Sequence, residues 1–497
     1  MESGLYLGID HGGSTTTALL LDPESQTHRA KSVPMPKSIP QIGWVEHDPE
    51  DFLRTSVAAA GAVLADAGRD WRDVAGLCIA DQGETSMAWS ARGGRALGPA
   101  ISWEDRRTVD VCNALGAKGL DVLVRERTGV LLDPYFSASK FRWLLDNVPA
   151  ISEANRSGTL RFGGTDSYVI DRLTGGAIHA TDRATASRTA LMNIRSTEWD
   201  DDLLSGFGLD RKAMPTLMPT CADYGTIAAS TIGISGVPIT ANAVDAHAAL
   251  FAQGCHDPGI VKATYGTGAF IEVNTGCRML EPDGKLPVFV AWQLSSGVDY
   301  TIEGGVFAVG SAIDWAVAVG LLASASASAK LAKSVPDSGG VTIVPSLTGL
   351  SAPYWKPTAR GCIFGLGLDT GLGHLARALL DGIAFQCAEI VQAIDARLDG
   401  SIREIRADGG PTKNDYLMQR QADLLGVPMA VSLEPDMTAL GAAMLAAIGG
   451  GGFTLDDAMT FSPPRRQFDP SIDRDRCEAM WQEWRRCVAT ACERAEA

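Results

Sequence analysis

"LGIDHGGSTTTALLLD", Leu7 to Asp22, is the stretch on which the fold turns. An apolar run meets one aspartate, Asp10. A glycine pair and four hydroxyl residues follow, and the chain turns apolar again. The stretch has neither the GxxxxGK[ST] pattern of a P-loop nor the GxGxxG of a dinucleotide fold. Its apolar runs, Leu5 to Asp10 and Thr17 to Leu21, are joined by a Gly-rich turn, which predicts a β-hairpin. A P-loop or dinucleotide loop would open a helix instead.

The same form returns half a chain later. "GIVKATYGTGAFIEV", starting at Gly259, is again strand, Gly/Thr turn, strand. A second echo pairs "LCIADQGE" with "IREIRADGGPT", each an apolar strand ending at Asp-x-Gly. Together they predict a duplicated α/β chain with its boundary near residues 250 to 258. The expected domains are 1–252 and 253–497. A length of 497 residues fits two large domains better than one.

Composition narrows the function classes. A net charge of −16 disfavours a nucleic-acid-binding face, which needs clustered Lys and Arg. It leaves room for a small phosphorylated ligand held by backbone N–H groups. Ten cysteines are scattered without CxxC or zinc-site spacing, so they read as buried thiols. The N-terminus lacks a basic region and a long apolar core, and no apolar run reaches membrane-spanning length. The expectation is a soluble cytoplasmic protein with no membrane partner.

Several helices are legible. "PEDFLRTSVAAAGAVLADAG" has Asp48 as N-cap and Pro49 as first residue. "FSASKFRWLLDNVP" starts after a serine and ends at Pro149. "LGHLARALLDGIAFQCAEIVQAIDARL" is long and apolar on more than one side. Asp473 to Ala497 predicts a C-terminal helix packed through Met480, Trp481 and Trp484. "ASASASAK" (Ala323 to Lys330) reads as a surface segment without chemistry, and "GGGG" (Gly449 to Gly452) as a flexible turn.

Candidate chemistry begins at the two turns. Gly12, Gly13, Ser14 and Thr15 offer backbone N–H groups and hydroxyls, as do Gly266, Thr267 and Gly268. Singly each is an ordinary turn; as a facing pair they would grip a polyphosphate. Asp10 is either an Asx-turn residue or a carboxylate for Mg²⁺. Asp245, in "ITANAVDAHAALFAQG", is either a helix N-cap or a general base for phosphoryl transfer, and spacing alone favours the N-cap. Trp103 lies in a polar context, as a core residue or a pocket wall.

Longer motifs carry a resemblance. "GWVEHDPEDF", "DPYFSASKFRWLLDN", "TDRATASRTALMNI", "TYGTGAF" and "GLSAPYWKPTARGCIFGL" make the chain, over about residues 5 to 470, resemble the FGGY carbohydrate kinases, closest to their glycerol kinases. The resemblance implies an α/β fold of two duplicated actin-like ATPase (ribonuclease H-like) domains with the active site in the cleft. It implies transfer of the ATP γ-phosphoryl group, with Mg²⁺, to a primary hydroxyl of a small polyol or sugar. By position, Asp245 matches the catalytic base and Asp10 the metal-side aspartate. Glu84, Trp103, Tyr135 and Phe270 match the polyol pocket. Gly13, Ser14, Thr15 and Thr16 match the first phosphate loop, and Gly266, Thr267 and Gly268 the second. Gly310, Asp314, Gly410, Pro411, Asn414 and Asp415 match the adenosine side. A homo-oligomer, dimer or tetramer, stays open.

Departures from the resemblance are as informative. Gly83 stands where an arginine is implied, Ala246 where a glutamine is, and Thr17 where a loop arginine is. Asp314 replaces a glutamine and Asp415 an asparagine. A buried hydroxyl left without a partner costs roughly 1–3 kcal/mol. Either glycerol binds more weakly here, or a longer substrate (a tetritol, pentitol or ketopentose such as xylulose or ribulose) fills the space at Gly83 and Ala246. A different class is a non-kinase actin-like ATPase switch. Such a switch has no use for the set Glu84, Trp103, Tyr135, Asp245 and Phe270.

Overall fold

The computed structural model describes residues 4–496 except 234, 357 and 462. The opening stretch forms the expected hairpin. Leu5–His11 pairs antiparallel with Thr15–Asp22, placing Asp10 opposite Thr17. A Cβ on Gly12 would stand 2.9 Å from the Thr15 carbonyl oxygen, so the turn needs a glycine there. Thr27–Pro34 continues the meander on one side, while Val74–Asp81 and then Ile239–Val244 add in parallel on the other. The five-stranded order is Ile239–Val244, Val74–Asp81, Leu5–His11, Thr15–Asp22, Thr27–Pro34.

The second sheet has seven strands, and its inner five repeat that plan. Ile260–Tyr265 and Ala269–Gly276 form the second hairpin, and Gly297–Val306 continues it antiparallel. Glu404–Asp408 and Met429–Ser432 add in parallel beside Ile260–Tyr265. Val288–Leu294 and Arg465–Phe468 close the two edges. Both sequence echoes therefore occupy equivalent strands. This is the duplicated actin-like α/β arrangement.

One helix joins the halves. Met437–Gly449, late in the chain, packs on the first sheet against Tyr6, Cys78, Ala80 and Ala241. Small residues permit the approach. A Cβ on Gly8 would lie 2.1 Å from the Ala439 oxygen, and one on Gly441 1.8 Å from the Ala248 oxygen. The glycine run after this helix is not a flexible turn. A Cβ on Gly449 would meet the Thr240 oxygen at 2.0 Å, and Gly450 and Gly452 lie against the Tyr6 ring. Their spacing from neighbours is set by packing, which a glycine count cannot convey.

The predicted helices form, with local differences. Pro49–Asp66 is capped by Asp48, whose carboxylate accepts from the Glu50 N–H at 3.0 Å. In Ser137–Asn147 the serine is the first helical residue, and Pro149 opens the next helix, Pro149–Arg156. Leu372–Arg397 is buried along much of its length. The C-terminal helix starts at Arg474, and Trp484 stacks on Phe385 with ring centroids 5.0 Å apart. None of the ten cysteines is in a disulfide. No helix among the described residues is long and apolar enough to cross a membrane.

Candidate active site

The two hairpin turns lie at the ends of the paired strands Leu5–His11 and Thr15–Asp22, and Ile260–Tyr265 and Ala269–Gly276. Ser14 and Thr15 are exposed at the first turn, as are Gly266 and Thr267 at the second. Gln82, just past the Val74–Asp81 strand, donates from Nε2 to the Gly12 oxygen at 3.0 Å and anchors the first turn. Not every hydroxyl of that turn faces outward. The Thr16 hydroxyl is buried and bonded to Thr55 of the Pro49–Asp66 helix at 2.8 Å. Thr16, wholly buried, therefore offers no hydroxyl to a phosphate. The Thr17 hydroxyl likewise meets Ser32, 2.8 Å away on the neighbouring strand.

A cavity of about 500 Å³ opens beside the second turn, a volume ordinary for a nucleotide-sized ligand. Gly266, Thr267, Gly310, Asp314, Gly410, Pro411 and Asn414, seven of the expected adenosine- and phosphate-side residues, line it. A Cβ on Gly310 would stand 2.6 Å from the Gly266 oxygen, so the Gly310–Ala318 helix can begin against the loop only with glycine there. Asp415 does not join this wall. It pairs with Arg466 at 2.6 Å and lines a separate surface cleft. The "ASASASAK" segment, read from sequence as free of chemistry, contributes Ala325, Ser326 and Ala329 to the cavity. Asn414 donates to the Ser328 hydroxyl at 3.0 Å, which ties that segment to the far wall.

The expected acceptor residues gather from both halves. Trp103 packs edge-on against Tyr135, with centroids 6.0 Å apart, and against Phe270, at 6.1 Å. Phe270 comes from the second sheet and the other two from the first half. Glu84 is 2% exposed. Burial pushes its carboxyl up to about 7, with Arg188 opposing the rise and Glu303 adding to it. Asp245 is not an N-cap; Val244 holds that place and Asp245 is the first helical residue. Its Oδ1 accepts from the Ala246 N–H at 2.6 Å, and burial raises its carboxyl to about 6. Ala246 presents only a methyl group beside it.

Asp10 is held well above the usual carboxylate range by burial first, then by the charges of Asp245 and Asp436. Among the described residues no donor or cation meets its side chain. An all-oxygen carboxylate group short of positive charge suits a hard divalent cation such as Mg²⁺. Asp436 was not foreseen, since an acidic residue before a helix reads as a cap. Its side chain makes no cap hydrogen bond. Arg188 and Glu303 were missed as well. They stand 115 residues apart in the chain, and nothing in their own segments marks a shared site.

Comparisons with known proteins bear on the family and the fold. A family model described as the FGGY family of carbohydrate kinases, N-terminal domain, matches residues 5–252, and the corresponding C-terminal domain model matches residues 261–450. The glycerol kinase of Citrifermentans bemidjiense is 42% identical over 488 residues, covering 97% of each chain. That of Leptothrix cholodnii is 42% identical over 489 residues, covering 97% of this chain and 98% of its own. Among solved structures, Plasmodium falciparum glycerol kinase with ADP superposes with a TM-score of 0.91 at 28% identity, over 98% of both chains. Xylulose kinase from Rhodospirillum rubrum gives 0.84 at 25% identity, also over 98% of both.

Proposed function

Because the chain belongs to the FGGY family of carbohydrate kinases, an ATP-dependent family of alcohol kinases, we propose that it phosphorylates a primary hydroxyl of glycerol or a polyol of similar size. One observation carries the substrate class. An aromatic cluster of Trp103, Tyr135 and Phe270 lies beside two carboxylates, Glu84 and Asp245. Aromatic faces suit the C–H side of a short polyol, and carboxylates accept from its hydroxyls.

Residues 1–252 then supply most of the acceptor side, completed by Phe270 and Glu303, and 253–497 most of the nucleotide side. ATP lies in the cavity by Gly310 and Asn414 with its phosphates between the turns at Gly13–Thr15 and Gly266–Gly268. Backbone N–H groups and hydroxyls there stabilise charge spreading onto the γ-phosphoryl oxygens. Asp245 orients the attacking hydroxyl and accepts its proton late in the transfer, because an alcohol is too weak an acid to ionise first. Mg²⁺, which Asp10 would help hold, supplies further neutralisation of the phosphates when bound.

A second reading, a four- or five-carbon acceptor, draws on a cavity of about 190 Å³ next to Tyr135 and Phe270. Much of its wall is apolar, with Leu131, Phe136, Phe289 and Leu350. Its polar lining, Arg106, Asp133, Glu303 and Ser351, is already engaged in other bonds, so extra hydroxyls would find few partners, which disfavours that reading. Initial rates of ATP-dependent transfer to glycerol, erythritol, ribitol, xylulose and ribulose test both. The highest kcat/KM should fall on glycerol. ATP binding with no transfer to any of them would refute the kinase reading.

A further inference from the structure

Arg188 follows the short helix Arg183–Ser187, and the residue is 2% exposed. It reaches between the halves. Nη1 donates to Glu84 Oε1 at 2.7 Å, and Nη2 donates to the carboxylate of Glu303 on the Gly297–Val306 strand of the second sheet. Nη2 also lies 3.4 Å from His247 Nε2, and the guanidinium carbon sits 4.2 Å over the Phe289 ring. The Nε–H meets no acceptor among the described residues. The aliphatic part of the side chain lies over Gly83. A Cβ there would stand 3.0 Å from Arg188 Cδ and 3.8 Å from Nε. Gly83 itself has φ +71°, which disfavours any side chain independently of space. The room at position 83 is therefore occupied.

We propose that Arg188 is the positioning residue of the acceptor pocket: it fills the volume that Gly83 leaves open and clamps Glu84 of the first half and Glu303 of the second, so that the closed cleft presents a fixed Glu84 carboxylate to the substrate alcohol. The inference rests on the polyol-kinase reading above. A planar guanidinium can hold two carboxylates at once in set directions, which an ammonium cannot. Engaging Glu84 at Oε1 leaves Oε2 for a substrate hydroxyl. The same cation opposes the rise that burial imposes on the Glu84 carboxyl. Around Glu84 stand Asp81 from the preceding strand, Tyr135 and Lys140 from the 135–147 segment, and Glu303 from across the cleft. Lys140 spends its ammonium on the backbone oxygens of Glu84 and Tyr135, so Arg188 is the cation bonded to the Glu84 carboxylate. Positions 83 and 188 act as a unit, and a bulky residue at 83 must evict the guanidinium.

The test uses full-length Arg188→Met, Arg188→Lys and Gly83→Ala, assayed with ATP and the polyol the wild type turns over fastest. ATP dissociation constants come from calorimetry. Arg188→Met should raise the polyol KM roughly 10- to 100-fold, the worth of a charged hydrogen bond, and leave ATP affinity within about twofold. It should also move the acid limb of kcat/KM to higher pH, because Glu84 loses its cation. Arg188→Lys should recover part of the KM. Gly83→Ala keeps every charge but pushes on Cδ, and should give a smaller rise in polyol KM of the same kind. If Arg188→Met does not fold, Gly83→Ala decides. Unchanged polyol KM and acid limb in a variant that binds ATP would overturn the inference, as would equal losses of ATP and polyol affinity. Wild-type protein that binds ATP but phosphorylates no polyol would overturn the kinase reading and this inference with it. Active wild type with indifferent variants would overturn this inference alone.

Discussion

At the scale of single residues, Asp245 and Glu84 carry the clearest consequences. Asp245→Asn retains the size and the Ala246 contact but cannot take a proton. Turnover should fall about 10²–10⁴-fold with ATP affinity nearly unchanged, measured by steady-state rates and nucleotide titration. The pH dependence follows from the same pair. Burial raises Asp245 to about 6 and Glu84 to about 7, and both act ionised. A raised carboxyl is lost as an acceptor when pH falls through its value. The profile of kcat/KM should therefore be level above about pH 7.5 and drop as pH falls through 7 and then 6. Because these groups share Arg188 as a neighbour, the two inflections belong to the site as a whole. A profile flat down to pH 5 would exclude both carboxylates from the acceptor role.

At the scale of elements, glycines set how closely backbones approach. The Gly310–Ala318 helix begins against the second turn because Gly310 has no Cβ to strike the Gly266 oxygen. Gly310→Ala should raise KM for ATP about tenfold while the polyol KM stays near its original value, since overpacking of this kind costs roughly 1–3 kcal/mol and the strain falls on the nucleotide wall. Gly441→Ala tests the other contact. It forces apart the Met437–Gly449 and Asp245–Ala252 helices, so it should lower the melting temperature by several degrees and lower kcat through the displaced Asp245. Calorimetry and rates together check this. Such contacts explain what was legible in the sequence at this scale and what was not. The hairpins at Leu5 and Ile260 follow from apolar runs flanking Gly-rich turns. The role of Gly449 to Gly452 depends on Tyr6 and Thr240, distant in the chain, and no local pattern records them.

At the scale of the whole molecule, the acceptor pocket exists only when the halves meet. Phe270 and Glu303 come from the second half, while Trp103, Tyr135, Glu84 and Arg188 come from the first. Polyol should thus stabilise both halves together. At one hundred times its dissociation constant it should add about 2.7 kcal/mol to unfolding as a single shifted transition. Phe270→Ala should reduce that shift strongly while the shift caused by ATP persists. Two transitions, only one of which responds to polyol, would contradict a pocket shared between the halves.

The sequence by itself determined the two hairpins, their duplication and the type of fold. Those features are local: a strand–turn–strand pattern or a glycine loop is set by its own neighbours in the chain. The tertiary structure alone decided which side chains share a charge. It turned the Thr16 hydroxyl inward to Thr55, took Asp415 to Arg466, brought "ASASASAK" to the nucleotide cavity, and set Asp436 near Asp10. It also placed Arg188 in the room above Gly83, between Glu84 and Glu303. Electrostatic pairing and cavity filling act through space between residues distant in the chain, 39 positions apart for Thr16–Thr55 and 115 for Arg188–Glu303. The empty-looking glycine in the sequence is filled only once the chain has closed on itself.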